Sequence, residues 1–217
     1  MVGEGMGVAD QYFVSQPGAP SERRAVALRV RGLDVMLMTD TGVFSRHRVD
    51  YGTRLLIESM DVPERGQVLD LGCGYGPIGI AAALLQPGVQ VTMVDINERA
   101  VELAKENARR LRLGRVEVYV SDGFAGLGDR RFDRVYCNPP IRAGKEQVYR
   151  LLSEAAGHLA DKGQVWVVVQ KKQGADSLKR ELARHFREVS DVARSGGFHV
   201  YRCMEPVNLP QSPESSS

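Results

Sequence analysis

The run Val68-Leu69-Asp70-Leu71-Gly72-Cys73-Gly74-Tyr75-Gly76-Pro77-Ile78-Gly79-Ile80 constrains the fold more than any other part of the chain. Gln67 to Leu71 is a short apolar run of the kind a buried parallel strand shows, and Ile80 to Leu85 opens a helix. The glycines between them let the backbone take positive φ and pass close under a ligand, and the free N–H groups of a helix start favour a negative group. Gly74 to Gly79 also satisfies the dinucleotide pattern G-x-G-x-x-G, with Asp95 ending the next apolar run. That match is weak by itself. Asp70 separates the two readings. A strand-end carboxylate repels a pyrophosphate, but it attracts the ammonium and sulfonium of S-adenosylmethionine, whose carboxylate can still sit near the helix start.

With that carboxylate in place, the loop resembles the first motif of the class I methyltransferases, D-x-G-x-G-x-G. The resemblance implies a Rossmann-like α/β fold, S-adenosylmethionine as cofactor, and cofactor contacts at Asp70, Gly72, Gly74 and Gly76. Strand and helix patterns alternate after Gln67 as that fold requires. Strands are expected at 67–71, 89–94, 116–120, 132–137 and 164–169. Helical stripes run through Val101, Ala104, Ala108 and Leu111, through Val148, Leu152, Ala155 and Leu159, and over 177–186. A closing hairpin, 188–193 and 198–203 around Ser195-Gly196-Gly197, completes a mostly parallel seven-stranded sheet with a final antiparallel strand. Before the loop, 24–30 and 33–38 form an N-terminal β-hairpin about Arg31-Gly32, and Val49 to Met60 repeats at helical spacing. The expected organisation is a loose lead-in over 1–22, a methyltransferase domain over 23–204 and a disordered tail over 205–217.

Ligands in such sheets lie beyond the carboxyl ends of the strands, and three further sites fall there. Asp95, next to Ile96, can accept from the hydroxyls of a ribose. Asp122-Gly123-Phe124 offers an acceptor for an adenine amino group and a ring to lie along it, although Asp122-Gly123 reads equally as a turn. Asn138-Pro139-Pro140-Ile141 presents carbonyl oxygens with few competing N–H groups. The Asn138 side-chain oxygen and the Pro139 carbonyl can each take one hydrogen of an exocyclic amine and turn its lone pair towards a sulfonium methyl. Orienting the reactants in this way is worth roughly 7–11 kcal/mol in favourable cases.

Asn-Pro-Pro followed by an aromatic is the pattern of enzymes that methylate adenine N6 or glutamine; here Ile141 stands in the aromatic place. The run Asn138 to Lys145, with Thr39-Asp40-Thr41-Gly42-Val43-Phe44-Ser45 and Val94-Asp95-Ile96-Asn97, closely resembles single-domain relatives of the small-subunit ribosomal RNA guanine-N2 methyltransferases. That resemblance implies methylation of a guanine amine in RNA or a small-subunit particle, with Asn138 at the target amine and Asp95, Ile96, Asp122, Gly123 and Phe124 on the cofactor. It also implies that the loop from Gly42 to Arg48, with Phe44, closes over cofactor and substrate. Pro140 and Ile141 are expected at the substrate, and Arg46, Arg48, Arg142, Lys145 and Lys171 at its phosphates. The alternatives are methylation of a protein glutamine or of adenine N6, and a cofactor-bound RNA assembly factor without turnover.

Composition excludes several other classes. A net charge of +2 does not announce nucleic-acid binding by itself. Cys73, Cys137 and Cys203 are widely spaced, which suits free thiols rather than disulfides, and the four histidines lack ligand spacing, so no metal is expected. No apolar run approaches ~18 residues and the first residues lack a basic-then-apolar pattern, which gives cytoplasmic location as the expectation. A monomer is the default expectation.

Overall fold

The computed structural model describes residues 21–43, 45, 47–139 and 144–207. Seven strands form the central sheet: β3 (Gly66–Leu71), β4 (Val89–Asp95), β5 (Val116–Val120), β6 (Phe132–Cys137), β7 (Leu159–Gln170), β8 (Phe186–Ser195) and β9 (Phe198–Pro206). Their order is β5-β4-β3-β6-β7-β9-β8. β3, β4, β5, β6 and β7 pair in parallel, and β9 runs antiparallel between β7 and β8. The mostly parallel seven-stranded sheet is therefore as expected, and the antiparallel strand is the last in the chain.

Successive residues of β3 face opposite sides of the sheet, so each face acquires its own core. Val68 packs in a cluster with α1 (Tyr51–Ser59), α2 (Pro77–Leu85) and α3 (Glu98–Arg110). Leu69 and Leu71 pack on the other side with α4 (Lys145–Gly157) and α5 (Ala175–His185). The central strands are apolar on both faces, as burial under helices on both sides demands. The hairpin of β1 (Arg24–Val30) and β2 (Leu33–Thr39) is a separate two-stranded sheet, with Val26, Leu28, Val30 and Leu37 in the first cluster.

One polar side chain ties that hairpin down. Asn107, 1% exposed on the apolar face of α3, accepts from Met38 N at 2.7 Å and donates to Met38 O and Tyr75 O at 2.9 Å each. It closes the hydrogen bonding of a sheet edge and of the glycine loop together, which a buried backbone requires.

Several boundaries differ from the expectations, and four of the differences bear on packing or on the chain ends. Leu159 is not on the α4 face: the helix ends at Gly157 and Leu159 opens β7, paired with Phe132. Phe186 likewise leaves α5 and opens β8. Both are buried apolar residues just past a helix end, where helical and extended backbone bury the same side chain. β9 continues to Pro206, and Val207 N donates to His185 O at 2.9 Å, so the ordered chain passes the expected limit at 204. Ser21 Oγ and Glu22 N donate to Asp40 at 2.7 and 2.6 Å, which fastens the end of the lead-in. The remainder of the lead-in, with the expected Tyr12-Phe13 anchor, and the tail from 208 lie outside the described residues. Among the described residues no helix is long and apolar enough to cross a membrane.

Candidate active site

The chain starts at β3, moves outward to β4 and β5, then returns to place β6 on the other flank of β3. In open sheets of this kind the ligand crevice lies where the direction reverses, beyond the carboxyl ends of the strands. Register fixes what lines it. Leu71 pairs with Val94 on one side and with Cys137 on the other, so the turn after β3, Asp95 and Asn138 emerge side by side.

Gly72, Gly74 and Gly76 have φ of 74°, 56° and 90°, the left-handed region that glycine tolerates. Gly72 N and Cys73 N donate to Val94 O at 2.9 Å, and Gly76 N donates to Cys73 O at 2.9 Å. The turn is thus bound to its own sheet as well as to itself. Gly76 provides no capping side chain for α2 and Pro77 has no N–H.

Asp70 supplies the missing negative group. Its Oδ2 accepts from Gly79 N at 2.8 Å, inside the first turn of α2. The helix start expected to hold a ligand's carboxylate is therefore already satisfied in part from β3. Asp70 is fully buried and its Oδ1 has no partner among the described residues. Burial, with the nearby charge of Asp95, pushes its carboxyl up to about 7 against the opposing effect of the Gly79 N–H. A buried carboxylate with an open acceptor is the chemistry that a cationic ligand answers, so the site fits a sulfonium donor.

Asp95 uses both oxygens on backbone: Oδ2 accepts from Gly74 N at 2.8 Å and Oδ1 from Asn97 N at 2.9 Å. Burial raises its pKa, with the three amides of Asn97, Gly74 and Ile96 opposing. Each oxygen keeps a second lone pair for a ribose hydroxyl. Ile96 follows, half-buried, and Asn97 caps α3 by accepting from Arg99 N and Ala100 N.

The segment after β5 departs from expectation. Ser121 Oγ donates to Gly123 O and accepts from Gly126 N, both at 3.0 Å, so Asp122-Gly123 is a stapled turn, with Gly123 at φ 60°. The exposed Asp122 carboxylate accepts from Arg150 Nη2 at 2.6 Å. Phe124 is 5% exposed and stacks on His158, with centroids 4.4 Å apart and planes 17° from parallel. Its ring belongs to the core under α4, and the expected stacking on adenine is withdrawn.

Asn138 is half-buried at the end of β6. Its Nδ2 donates to Thr53 Oγ1 at 2.9 Å and lies 3.4 Å from each oxygen of Asp50. Asp50 in turn caps α1, accepting from Thr53 N at 3.1 Å and from the Thr53 hydroxyl. The Asn138 side-chain oxygen takes no bond from any described residue. Asp50 and Thr53 were not expected at the site, although an Asp immediately ahead of a helical apolar pattern is an N-cap signal.

Tyr75, within the glycine loop, is 2% exposed with an unpartnered hydroxyl, and burial together with the Asp50 charge raises its pKa. The three cysteines are free and buried, and burial pushes their thiols up, which suits none of them to nucleophilic chemistry.

Among the expected substrate residues, Arg48, Lys145 and Lys171 are exposed; Pro139, expected with Asn138 at the target amine, is buried. Lys145 reaches over Gly174, whose amide donates to Lys171 O at 3.1 Å, so these two lysines flank one turn at the carboxyl end of β7. The loop at Thr41-Gly42 is held on α3 by Arg99 Nη1 to Thr41 O at 2.9 Å and Asn97 Nδ2 to Gly42 O at 3.2 Å. Phe44, Arg46, Pro140, Ile141 and Arg142 lie outside the described residues. No group of three or more His, Cys, Asp and Glu among the described residues is placed to hold a metal.

Comparison with known proteins agrees with this geometry. Residues 34–202 match the family model described as methyltransferase small domain. The chain is 41% identical over 197 residues to the Bacillus subtilis protein YbxB, covering 90% of this chain and 98% of that one. It is 37% identical over 164 residues to ribosomal RNA small subunit methyltransferase C of Haemophilus influenzae, covering 74% of this chain and 48% of that one. The Thermus thermophilus 16S rRNA N2 G1207 methyltransferase, solved with AdoMet and guanosine, superposes with a TM-score of 0.77 at 25% identity, over 87% of this chain and 52% of that one. The chain spans about half the length of these two ribosomal RNA methyltransferases. A sheet reversal lined by Asp70, the glycine turn, Asp95 and Asn138, with a family match over most of the sequence, makes this chain a member of the methyltransferase small-domain family.

Proposed function

We propose that this chain transfers a methyl group from S-adenosylmethionine to an exocyclic amine, the N2 of a guanine in small-subunit ribosomal RNA. The observation that carries the amine is Asn138. Its NH2 is bound on the protein side, which leaves its carbonyl oxygen as an acceptor beside the Asp70 and Asp95 end of the crevice. With the Pro139 carbonyl it accepts the two amine hydrogens, so the nitrogen lone pair points at the sulfonium methyl. Bound there, S-adenosylmethionine would supply an electrophilic methyl on a sulfonium, and the amine, once methylated, would be acidic enough to lose its proton to water without a protein base.

Asp70 would hold the ammonium and Asp95 the ribose of the donor, with Ile96 along the adenosine. Arg48, Lys145 and Lys171 serve phosphate contacts, which orient RNA without reading its sequence. The guanine and the small ribosomal subunit come from the named activities of the relatives.

The test is incubation with labelled S-adenosylmethionine and unmodified small-subunit RNA, free and as assembled particles, followed by digestion to nucleosides and mass spectrometry. N2-methylguanosine supports the reading. Label in methyladenosine or in protein glutamine replaces the substrate, and cofactor binding without transfer to either RNA form refutes it. Asn138→Ala is expected to keep cofactor affinity within twofold and lose turnover.

A further inference from the structure

We propose that Asp50 and Thr53 are positioning residues that lock the Asn138 amide in one orientation, so that the site accepts only groups that donate N–H. This rests on the amine-methylating reading and specifies how the site enforces it. A free asparagine amide can turn over and present either its oxygen or its NH2. In the second state a donor would face the donor hydrogens of the target amine, and the amine would be turned away.

The structure removes that state by fixing the direction of a hydrogen-bond chain. Thr53, 3% exposed, has one hydroxyl proton, and it goes to the Asp50 carboxylate. A carboxylate only accepts. The Thr53 oxygen can then only accept in its next bond, and Asn138 Nδ2 at 2.9 Å is the donor it meets. Both Asp50 oxygens also lie 3.4 Å from that nitrogen. Turning the amide over would bring its carbonyl against a carboxylate and a hydroxyl with no proton to give. The Asp50 end of the chain is itself fixed by Thr53 N, in the first turn of α1. One charge thereby sets the polarity of three groups, and such chains reinforce each other bond by bond.

Asp50→Asn separates this role from capping. Asparagine caps helices as well as aspartate does, yet it can donate and so permits the whole chain to run backwards. Thr53→Val keeps the buried shape and deletes the acceptor, and Thr53→Ser restores it. Asp50→Asn and Thr53→Val are expected to lower kcat about tenfold or more, with KM for RNA and the cofactor Kd within about twofold. Thr53→Ser is expected to recover most of that loss. Equal kcat for Thr53→Val and Thr53→Ser, or losses that appear in KM and cofactor Kd instead, would overturn the proposal.

A second readout stands apart from the substrate assignment. The Asn138 side-chain amide protons in a nitrogen-15 spectrum, assigned by their loss in Asn138→Ala, are expected to be exchange-protected and to lose protection in Thr53→Val but not in Thr53→Ser. If RNA is not methylated but this pattern holds, the substrate reading fails and the lock stands. Unprotected amide protons in the parent protein refute the lock whatever the substrate.

Discussion

Asp70 gives the sharpest test of how the site is built, because its contribution to stability and its contribution to binding have opposite signs. Its carboxyl is raised from the ordinary 3.8 to about 7 in the folded chain. The folded state therefore holds a proton that the unfolded state releases. Stability from this group is fully present below about pH 4 and is lost as pH rises through about 7. At ~1.4 kcal/mol for each tenfold change in proton affinity, the loss is bounded at about 4 kcal/mol by pH 8, a large part of an ordinary domain's stability.

Asp70→Asn keeps an acceptor for Gly79 N and removes the charge. Denaturation with urea should find the variant more stable than the parent by about 2–4 kcal/mol at pH 8, with the difference shrinking as pH falls and vanishing only below about pH 4. Calorimetry should find it binding S-adenosylmethionine about 10- to 100-fold more weakly at pH 8, the worth of one hydrogen bond to a charged group. Parent and variant curves that run parallel between pH 5 and 8 would refute the reasoning on burial. Unchanged affinity would remove the ammonium from Asp70.

Tyr75→Phe deletes a buried hydroxyl that has no partner among the described residues, so it should raise the melting temperature of the free protein by roughly 2–4 °C, the equivalent of about 1 kcal/mol. The gain should shrink or reverse with cofactor present if a ligand supplies the missing partner. Gly79→Ala would put a Cβ 2.5 Å from Met93 Sδ and 3.2 Å from Asp70 Cβ, and chemical denaturation should show a loss of about 1–3 kcal/mol. Asn107→Leu should cost about 3 kcal/mol in the same assay, since Met38 and Tyr75 backbone groups are left buried without partners.

What the sequence showed and what it hid divide along one physical line. The glycine turn, Asp95 and Asn138 were legible because each follows an apolar run at a strand end, and a parallel sheet brings all such ends to one edge. Asp50 and Asn107 were not, because their partners are 88 and 69 residues away and depend on how α1 and α3 are docked. Asn107 did leave a trace, as a polar residue beside Ala108 on the apolar stripe of α3. Phe124 misled because an aromatic after a strand end serves a ligand or a core equally well. Its burial depends on His158, at the end of α4 and outside any local pattern. The turn at Asp122 showed both of its readings in the sequence, and Arg150, across on α4, decides where the carboxylate points.

The three acidic groups of the site share one construction, and it bears on how precisely the crevice is held. Asp50 accepts from Thr53 N, Asp70 from Gly79 N and Asp95 from Asn97 N, each a backbone donor in or just before the first turn of a helix. Two are completed by a second tie, Asp95 to Gly74 N and Asp50 to the Thr53 hydroxyl. A helix start has amides without intrahelical partners, and it favours negative charge. The same bonds that finish α1, α2 and α3 therefore orient the carboxylates, and no mobile side chain is asked to do it. Each helix docks on the sheet face that carries Val68, so the carboxylates are referred to β3 rather than to the loops above them.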